Sequence, residues 1–240
     1  MLHTYDTVIL GCGEAGVFAG YELVRRCPGM KVLIVDQGAD IYHRSCPIVA
    51  GKVTECTDCK VCHTMCGFGG AGAFSDGKYN FTTAFGGWLT DFMPEQEVMA
   101  LIDYVDEINM AHGATQEVFS TETPAAQALR KKALESDLHL LQARVKHLGT
   151  ENNLRILTNL YEDLRQDITF RFHTTVTAIR PTEGGYCLDT ADGDQLLGKV
   201  ILAAPARAGA AKIAGVRPGV KAGMRDVPVK PVTIVSARML

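Results

Sequence analysis

The strongest constraint on the fold of this chain is a glycine-rich turn near its N-terminus. Residues 5–10 form a mostly apolar run that predicts a buried strand, and glycines follow it at the spacing G-x-G-x-x-G: Gly11, Gly13 and Gly16. A helical pattern over residues 17–26 then leads to a second apolar run, 31–35, which ends at Asp36. The pattern predicts a complete β-α-β unit.

Each part of this unit has a mechanical reason. Gly11 permits a tight strand-to-helix turn, Gly13 leaves room for a pyrophosphate beside the backbone, and Gly16 lets the helix pack close to the strand. The N-terminus of the helix supplies N–H groups and the positive end of a dipole for phosphates. An acidic residue about 20 positions past the last glycine, here Asp36, is suited to bind a ribose 2′-hydroxyl. We therefore predict dinucleotide binding rather than an ordinary structural turn.

Composition narrows the class of protein. A chain of 240 residues is long enough for one large or two small domains with an ample core. The formal net charge of −3 gives no reason to expect nucleic acid, and no apolar run reaches the length of a membrane span. The early position of the fingerprint argues against a cleaved signal peptide. Eight cysteines then indicate reduced thiols or metal ligands rather than disulfides, so we expect a cytoplasmic protein.

A cysteine-rich segment follows the β-α-β unit. Its cysteines include a run at the spacing C-x2-C-x2-C-x3-C, which is that of bacterial ferredoxin ligands: Cys56, Cys59, Cys62 and Cys66. This pattern predicts a [4Fe–4S] cluster, with Cys46 as an alternative fourth ligand because it is the cysteine followed by a proline. Two pairs of thiolates would also suit tetrahedral zinc, and a loop of thiols without metal is the third interpretation.

The segment 67–78 is rich in glycine. Five glycines lie within eleven positions, and such a density lets the backbone approach a flat or charged group closely. Ser75, Asp76 and Lys78 add polar groups that could reach a phosphate, a ribityl chain or the edge of a flavin ring. A flexible surface loop is the alternative interpretation.

Taken together, these segments resemble the family of uncharacterised FAD-dependent dehydrogenases, which are bacterial and archaeal flavoproteins of the two-dinucleotide-binding-fold group. The resemblance is carried by the fingerprint and by the segments that begin at Asp36, Arg44, Cys56 and Gly67. It implies that the β-α-β unit holds the ADP part of FAD rather than NAD, and that the glycine-rich segment lies beside the flavin. It covers about residues 4–210, which correspond to the N-terminal half of a family member.

The resemblance also assigns residues to the site. Val176 occupies the position whose backbone pairs with the adenine, and Ala203 ends the last strand of the nucleotide-binding sheet. Gly69, Gly70 and Ser75 are assigned to the flavin side. The full set of predicted cofactor-binding residues is Gly11, Gly13, Glu14, Ala15, Gly16, Asp36, Gln37, Arg44, Gly69, Gly70, Ala71, Ser75, Val176 and Ala203.

Two residues are candidates for moving a proton in catalysis. His147 lies in the segment 145–150, which also resembles one in the family, and an imidazole near the substrate or flavin could act as acid or base. The alternative places His147 at a helix C-terminus before Gly149, where it would complement the helix dipole. Lys78, at the end of the glycine-rich segment, is the second candidate.

The remaining periodicities complete the predicted fold. Residues 94–165 have mostly helical spacing, and short strand patterns return after residue 168. We predict an α/β fold, in which a Rossmann-like FAD-binding domain has a mostly parallel sheet, a small antiparallel β-meander and a helical insertion. The expected divisions are 1–93 for the first part of the FAD-binding domain, 94–165 for the helical insertion, 166–210 for its second part and 211–240 for an atypical tail, as in a truncated chain.

The sequence thus predicts an FAD-dependent oxidoreductase, or its FAD-binding half, that transfers hydride or electrons through bound flavin, with an adjacent iron–sulfur cluster if the cysteines bind one. The expected partner is a small-molecule substrate or an electron carrier, without nucleic acid or membrane, and the sequence does not indicate an oligomeric state. Two alternatives stay open. One is a non-catalytic cysteine-rich metal or electron-transfer module on a nucleotide-binding scaffold, and the other is an NAD-dependent dehydrogenase.

Overall fold

The structure is a computed structural model that describes residues 4–205, 218–221 and 224–228. Its contacts divide the chain into two compact units. The first unit takes in the described residues up to Gly72 and from Tyr161 onward, and the second takes in Ala73–Leu160. The predicted atypical tail lies largely outside the described residues, and the predicted domain boundaries stay predictions.

The helices and strands are numbered in chain order. The strands are β1 (Thr4–Leu10), β2 (Val32–Val35), β3 (Lys78–Phe81), β4 (Phe119–Ser120), β5 (Arg144–His147), β6 (Ile168–Arg171), β7 (Val176–Thr182), β8 (Gly185–Thr190), β9 (Gln195–Ala203), β10 (Pro218–Lys221) and β11 (Met224–Pro228). The α-helices are α1 (Glu14–Arg26), α2 (Glu95–Ala111), α3 (Pro124–Leu134) and α4 (Thr150–Leu164), and two short 3-10 helices span Gly70–Phe74 and Leu89–Asp91. Within the described part of the chain, no helix is long and apolar enough to cross a membrane.

The first unit is built on a six-stranded sheet with the strand order β6-β2-β1-β9-β8-β7. β1 pairs in parallel with β2 and with β9, and β2 pairs in parallel with β6. β7, β8 and β9 form an antiparallel meander, while β10 and β11 pair with each other in a separate small sheet. The predicted α/β fold, with a mostly parallel sheet, a small meander and helices, is confirmed.

Residues 7–10 of β1 and all of β2 are buried on both faces, which explains the apolar sequence of these two neighbouring parallel strands. On one face, a Cβ on Gly20 of α1 would lie 2.9 Å from the Cδ1 atoms of both Ile34 and Ile168, so glycine lets this helix approach the sheet closely. The opposite face carries an apolar cluster, which consists of Val8, Leu10, Leu33, Val35, Leu188 and Leu196. Full burial of such side chains contributes about 1.5–3 kcal/mol each to folding.

The parallel strands end together at one edge of the sheet. Leu10, the last residue of β1, pairs with Val35 at the end of β2 and with Ala203 at the end of β9. The chain therefore leaves three neighbouring strands at one place. Open α/β sheets bind ligands beyond the carboxyl ends of their strands, at the point where the strand order reverses. The candidate site is therefore expected at this edge of the sheet.

The second unit contains α2, α3, most of α4 and a three-stranded sheet with the order β3-β5-β4, which the sequence did not predict. β3 and β5 pair antiparallel, with Lys78 opposite His147. His147 therefore ends a strand, and the interpretation of this residue as a helix C-terminal histidine is wrong. On β5, the fully buried Lys146 donates from Nζ to both carboxylate oxygens of Asp106, at 2.8 and 2.6 Å.

α3 ends earlier than its sequence suggests. Good helix formers over residues 125–141 predict one long helix, but α3 ends at Leu134. Asp137 has a φ of +56°, in the left-handed region, and the N–H of Leu138 donates to the carbonyl of Ala133 at 2.9 Å. Aspartate is one of the few residue types that enter the left-handed region readily, so the turn at Asp137 ends the helix before the leucines that follow.

Candidate cofactor-binding site

The fingerprint glycines have different environments at the end of β1. Gly11 has a φ of +102°, and a Cβ on it would lie 2.4 Å from the carbonyl oxygen of Ala204. A Cβ on Gly16 would lie 1.9 Å from the carbonyl oxygen of Gly11. A Cβ on Gly13, by contrast, would meet no atom of the described chain within 4 Å. The packing of the protein therefore requires Gly11 and Gly16, whereas Gly13 faces open space.

α1 begins directly behind that open space. Gly13 is its N-cap residue and carries no side chain that could bond the first N–H groups of the helix. The helical bonds begin where the N–H of Val17 donates to the carbonyl of Gly13, at 2.9 Å. Glu14 and Ala15, in the first turn, are exposed. An uncapped first turn with the positive end of the helix dipole is suited to an anion, so these residues fit a pyrophosphate.

Asp36 binds backbone N–H groups from three segments of the chain. Its Oδ2 accepts a hydrogen bond from the N–H of Cys12 at 2.8 Å, and its Oδ1 accepts bonds from the N–H groups of Gly38 and Gly67 at 2.7 and 2.8 Å. A carboxylate offers about four acceptor positions, so one is left for a ribose hydroxyl. The structure assigns Asp36 a joining role within the protein, and its ribose contact stays a prediction.

Residues 67–72, which we call the glycine loop, pack backbone to backbone against the fingerprint turn. The N–H of Gly69 donates to the carbonyl of Cys12 at 2.8 Å. A Cβ on Gly70 would lie 3.1 Å from the Cα of Gly13. The glycines of this loop thus allow a close approach to protein backbone, and the interpretation of residues 67–70 as a flexible surface loop is wrong because all of them are buried.

The glycine loop also contacts the segment that follows β2. Gly67 has a φ of +104°, and a Cβ on it would lie 2.3 Å from the carbonyl oxygen of Ala39. The N–H of Phe68 donates to the same carbonyl at 3.1 Å. A Cβ on Gly38 would lie 2.3 Å from the carbonyl carbon of Cys66. The loop is therefore held between the fingerprint turn and the end of β2.

An aromatic side chain anchors the glycine loop in the core of the first unit. Phe68 is fully buried. Its ring packs edge-on against Tyr161 and Phe170, with centroid distances of 4.9 and 5.9 Å. Such aromatic pairs stabilise by about 0.5–1.5 kcal/mol beyond their burial. The loop thus has a fixed apolar anchor between its glycines.

Arg44 donates hydrogen bonds to carbonyl groups in two neighbouring segments, the end of the cysteine-rich segment and the glycine loop. Its Nη1 donates to the carbonyls of Phe68 and Gly70, each at 2.6 Å. Its Nη2 donates to the carbonyls of Thr64 and His63, at 2.8 and 2.9 Å, and its Nε donates to His63 at 3.2 Å. Burial lowers the pKa of Arg44 from its usual value, but a guanidinium stays charged in proteins. The predicted cofactor contact of Arg44 stays a prediction, because these contacts are with backbone.

Glu14 places a titratable carboxyl group at the start of α1. A Cβ on Gly72 would lie 2.2 Å from Oε1 of Glu14, so the carboxyl group lies against the glycine loop. Surrounding protein displaces water from this group and raises the pKa of Glu14 to about 7, although the side chain keeps exposed surface. A carboxyl group that changes charge near neutral pH therefore lies next to Gly13.

The cysteines of the predicted metal site do not converge. Among the described residues, no three cysteine, histidine or acidic side chains form a group that could hold a metal ion. Each thiol has a polar neighbour of its own: Asp58 for Cys56, Thr57 for Cys59, Thr64 for Cys62 and Gln37 for Cys66. The described residues thus show no metal-binding arrangement of these four cysteines or of the alternative ligand Cys46, and the iron–sulfur or zinc site stays a prediction.

The connection between β6 and β7 runs beside the end of β2. The N–H of His173 donates to the carbonyl of Gly38 at 2.8 Å, and the N–H of Thr174 donates to that of Asp36 at 3.0 Å. Val176, the predicted adenine contact, is half-buried and begins β7 directly after this connection. The structure therefore brings the segment before Val176 to the same place as Asp36.

Three further predicted contacts lie on the surface of the first unit. Ala203, at the end of β9, and Ala71, in the glycine loop, are exposed. Gln37 is exposed as well, and its Nε2 donates to Sγ of Cys66 at 3.2 Å. The structure thus gives Gln37 a contact with the cysteine-rich segment, and its cofactor contact stays a prediction.

The predicted proton-transfer residues lie together in the second unit. Lys78 on β3 is opposite His147 on β5, and both are exposed. Nζ of Lys78 lies 2.7 Å from a carboxylate oxygen of Asp76, and this bond lowers the pKa of Asp76, with His147 adding to the effect. Ser75 accepts a hydrogen bond from the N–H of Gly77 at 3.1 Å. Lys78, Asp76 and His147 thus lie close together, and the catalytic or flavin-side roles predicted for Lys78, His147 and Ser75 stay predictions.

The sequence missed three glycines that complete the packing of the first unit. Gly38, Gly67 and Gly72 were not among the predicted site residues, yet each one allows a contact described above. The available signals were weak. One signal is a glycine two residues after the acidic residue that follows β2, and the other is the high density of glycines in the glycine loop. Both indicate that another group packs closely against the backbone, but neither identifies that group.

Comparisons with known proteins give the fold. A scan of protein-family models and a search of curated proteins found no match. Glycine oxidase from Geobacillus kaustophilus is similar in structure, with a TM-score of 0.51 and 18% sequence identity, over 90% of this chain and 60% of that chain. L-amino acid deaminase from Proteus vulgaris (TM-score 0.47, 11% identity, 91% and 52% covered) and the amino acid oxidase NikD (0.45, 14%, 90% and 56%) also match.

The similarity to glycine oxidase shows the fold of the chain. This chain spans about 60% of the length of glycine oxidase. The shared fold is in agreement with the α/β architecture predicted from the sequence.

Proposed function

We propose that this chain binds FAD at the ends of the parallel strands in its first unit, and that it forms the FAD-binding part of an oxidoreductase. The observation that carries the proposal is the open space at Gly13, in front of the uncapped α1, within a turn where Gly11 and Gly16 are both enclosed by backbone. The fold shared with glycine oxidase supports the proposal.

The residues of the first unit would divide the binding of FAD among them. The first turn of α1 would bind the pyrophosphate, and the remaining acceptor position of Asp36 would take a ribose hydroxyl. The backbone at Val176 would meet the adenine. The glycine loop would exclude water from one side of the site. Bound flavin would supply hydride or electron transfer.

Proton transfer would fall to polar residues of the second unit. His147 and Lys78 are the proposed candidates, because an exposed imidazole and an ammonium group lie opposite each other on β5 and β3. A histidine can gain or lose a proton near neutral pH, which suits it to acid–base catalysis. The substrate is proposed to be a small molecule or an electron carrier.

An anaerobic absorption spectrum of the purified protein, followed by release of the cofactor by heat, tests this proposal. We expect paired flavin bands and free FAD after denaturation. A colourless protein that takes up no added FAD would contradict the proposal. If the colourless protein instead bound NAD, the alternative of an NAD-dependent dehydrogenase would replace it.

A further inference from the structure

The guanidinium of Arg44 uses every N–H group that it has on backbone carbonyls. An arginine side chain carries five N–H groups in a rigid planar fork. The five bonds of Arg44 reach four carbonyl groups, those of His63, Thr64, Phe68 and Gly70. A group with this many bonds within the protein has no donor left to offer a ligand.

These carbonyls belong to two successive turns of the chain. His63 and Thr64 lie in a turn that is closed by a hydrogen bond from the N–H of Cys66 to the carbonyl of Cys62, at 2.9 Å. The other two carbonyls belong to the glycine loop. Carbonyl groups that point toward one another repel unless a cation lies between them. Arg44 therefore supplies the positive charge that lets both turns fold inward.

We propose that Arg44 is a positioning residue, which fixes the glycine loop against the fingerprint turn and so sets one wall of the cofactor site. The link to the site is Gly70, whose carbonyl binds Arg44 while its backbone lies beside Gly13. This proposal replaces a direct contact between Arg44 and the cofactor. The claim that Arg44 favours FAD binding rests on the proposed function, whereas the claim that Arg44 fixes the glycine loop does not.

Lysine cannot take over this role, which makes Arg44→Lys an informative variant. An ammonium group keeps the positive charge but donates from a single atom, so it cannot reach carbonyls on both turns. Arg44→Ala removes both charge and donors. Arg180→Ala is the matched control, because Arg180 is an exposed arginine of the meander that pairs with Asp189.

The first measurement uses the protein without cofactor. Amide hydrogen exchange should become at least about tenfold faster over residues 63–70 in both Arg44 variants, while peptides from β7 to β9 should exchange as in the wild type. The Arg180→Ala variant should show no change in the loop. Unchanged exchange over residues 63–70 in Arg44→Lys, or faster exchange of equal size throughout the first unit, would overturn the proposal.

The second measurement is the dissociation constant for FAD. Both Arg44 variants should bind FAD at least about tenfold more weakly, and millimolar guanidinium should restore binding to Arg44→Ala while methylammonium at equal ionic strength should not. Weaker FAD binding with unchanged loop exchange would mean that Arg44 contacts the cofactor directly, which overturns the proposal. If the wild type binds no FAD, the proposed function fails, and the exchange measurement still decides whether Arg44 positions the loop.

Discussion

Asp36 and Arg44 bind adjacent residues of the glycine loop with opposite charges. Oδ1 of Asp36 accepts the N–H of Gly67 at 2.8 Å, and Nη1 of Arg44 donates to the carbonyl of Phe68 at 2.6 Å. Hydrogen bonds with one charged partner are stronger than neutral ones. The carboxylate of Asp36 therefore binds an N–H group of the loop, while the guanidinium of Arg44 binds a carbonyl group of the next residue.

Asp36→Asn should lower the free energy of unfolding of the cofactor-free protein by about 2–4 kcal/mol. The amide has a single acceptor oxygen and no charge, so it cannot satisfy the three N–H groups that the carboxylate binds. Urea unfolding measures the effect. Asp189→Asn is the control, since it breaks an exposed ion pair with Arg180 that is worth less than about 1 kcal/mol. Equal stability of Asp36→Asn and the wild type would mean that Asp36 serves only a ligand.

Gly13→Ala should weaken FAD binding at least about tenfold while it changes the free energy of unfolding by no more than about 1 kcal/mol. A methyl group at Gly13 meets no described atom within 4 Å, so it would fill the space proposed for the pyrophosphate without disturbing the protein. Gly16→Ala should behave in the opposite way, because its Cβ would overlap the carbonyl oxygen of Gly11 and destabilise the fold by about 3 kcal/mol or more. Flavin fluorescence titration and urea unfolding, applied to both variants, separate the two effects.

Glu14→Gln should make the stability of the cofactor-free protein less dependent on pH. The raised pKa of Glu14, about 7, means that the folded protein holds a proton which the unfolded chain has already released. Stability is therefore lost as pH rises from the unfolded pKa of about 4.3 toward 7, and Glu14→Gln should remove that loss. The stability gained by Glu14→Gln should grow between pH 5 and pH 8, as measured by urea unfolding at each pH.

Glu22→Gln is the control for this pH effect. Glu22 lies on the same helix and binds Arg26 at 2.6 Å, so its charged form stabilises the helix. Its amide variant should lose about 0.3–0.5 kcal/mol at neutral pH, the opposite sign. If the free energy of unfolding gained by Glu14→Gln did not change with pH, the raised pKa of Glu14 could not be its cause.

Lys146→Met should destabilise the protein by about 3–5 kcal/mol. The side chain of Lys146 is 1% exposed and that of its partner Asp106 is 12% exposed, so removal of the lysine leaves a nearly buried carboxylate without its ion pair. The double variant Lys146→Met with Asp106→Leu should recover most of the loss, because it removes the unpaired charge as well. Thermal unfolding of the three variants provides the test, and a double variant as unstable as the sum of the single ones would contradict it.

The parts of the fold that could be predicted from the sequence are those determined by residues close together in the chain. The strand, the glycine turn and the helix that follow one another from Thr4 to Arg26 have apolar periods and glycine positions that are read locally. The sheet of the second unit has no such signal. β4 is two residues long, and β3 pairs with β5 across a long stretch of chain, so tertiary pairing decides where these strands form.

The site was harder to predict than the fold because much of it is made of backbone. Asp36 binds N–H groups and Arg44 binds carbonyl groups, and every residue type except proline offers both. The sequence could therefore identify the charged residues without identifying their partners. The cysteine spacing likewise identifies the thiols but not their neighbours, such as Thr64 beside Cys62 and Gln37 beside Cys66.

The joining role of Asp36 bears on any attempt to graft this nucleotide fingerprint onto another scaffold. A transplant of β1, α1 and β2 alone would leave the carboxylate without the N–H of Gly67, and Gly11 without the carbonyl of Ala204 that closes over it. The smallest portable piece is thus discontinuous, and it must bring along the glycine loop with Arg44 and the end of β9.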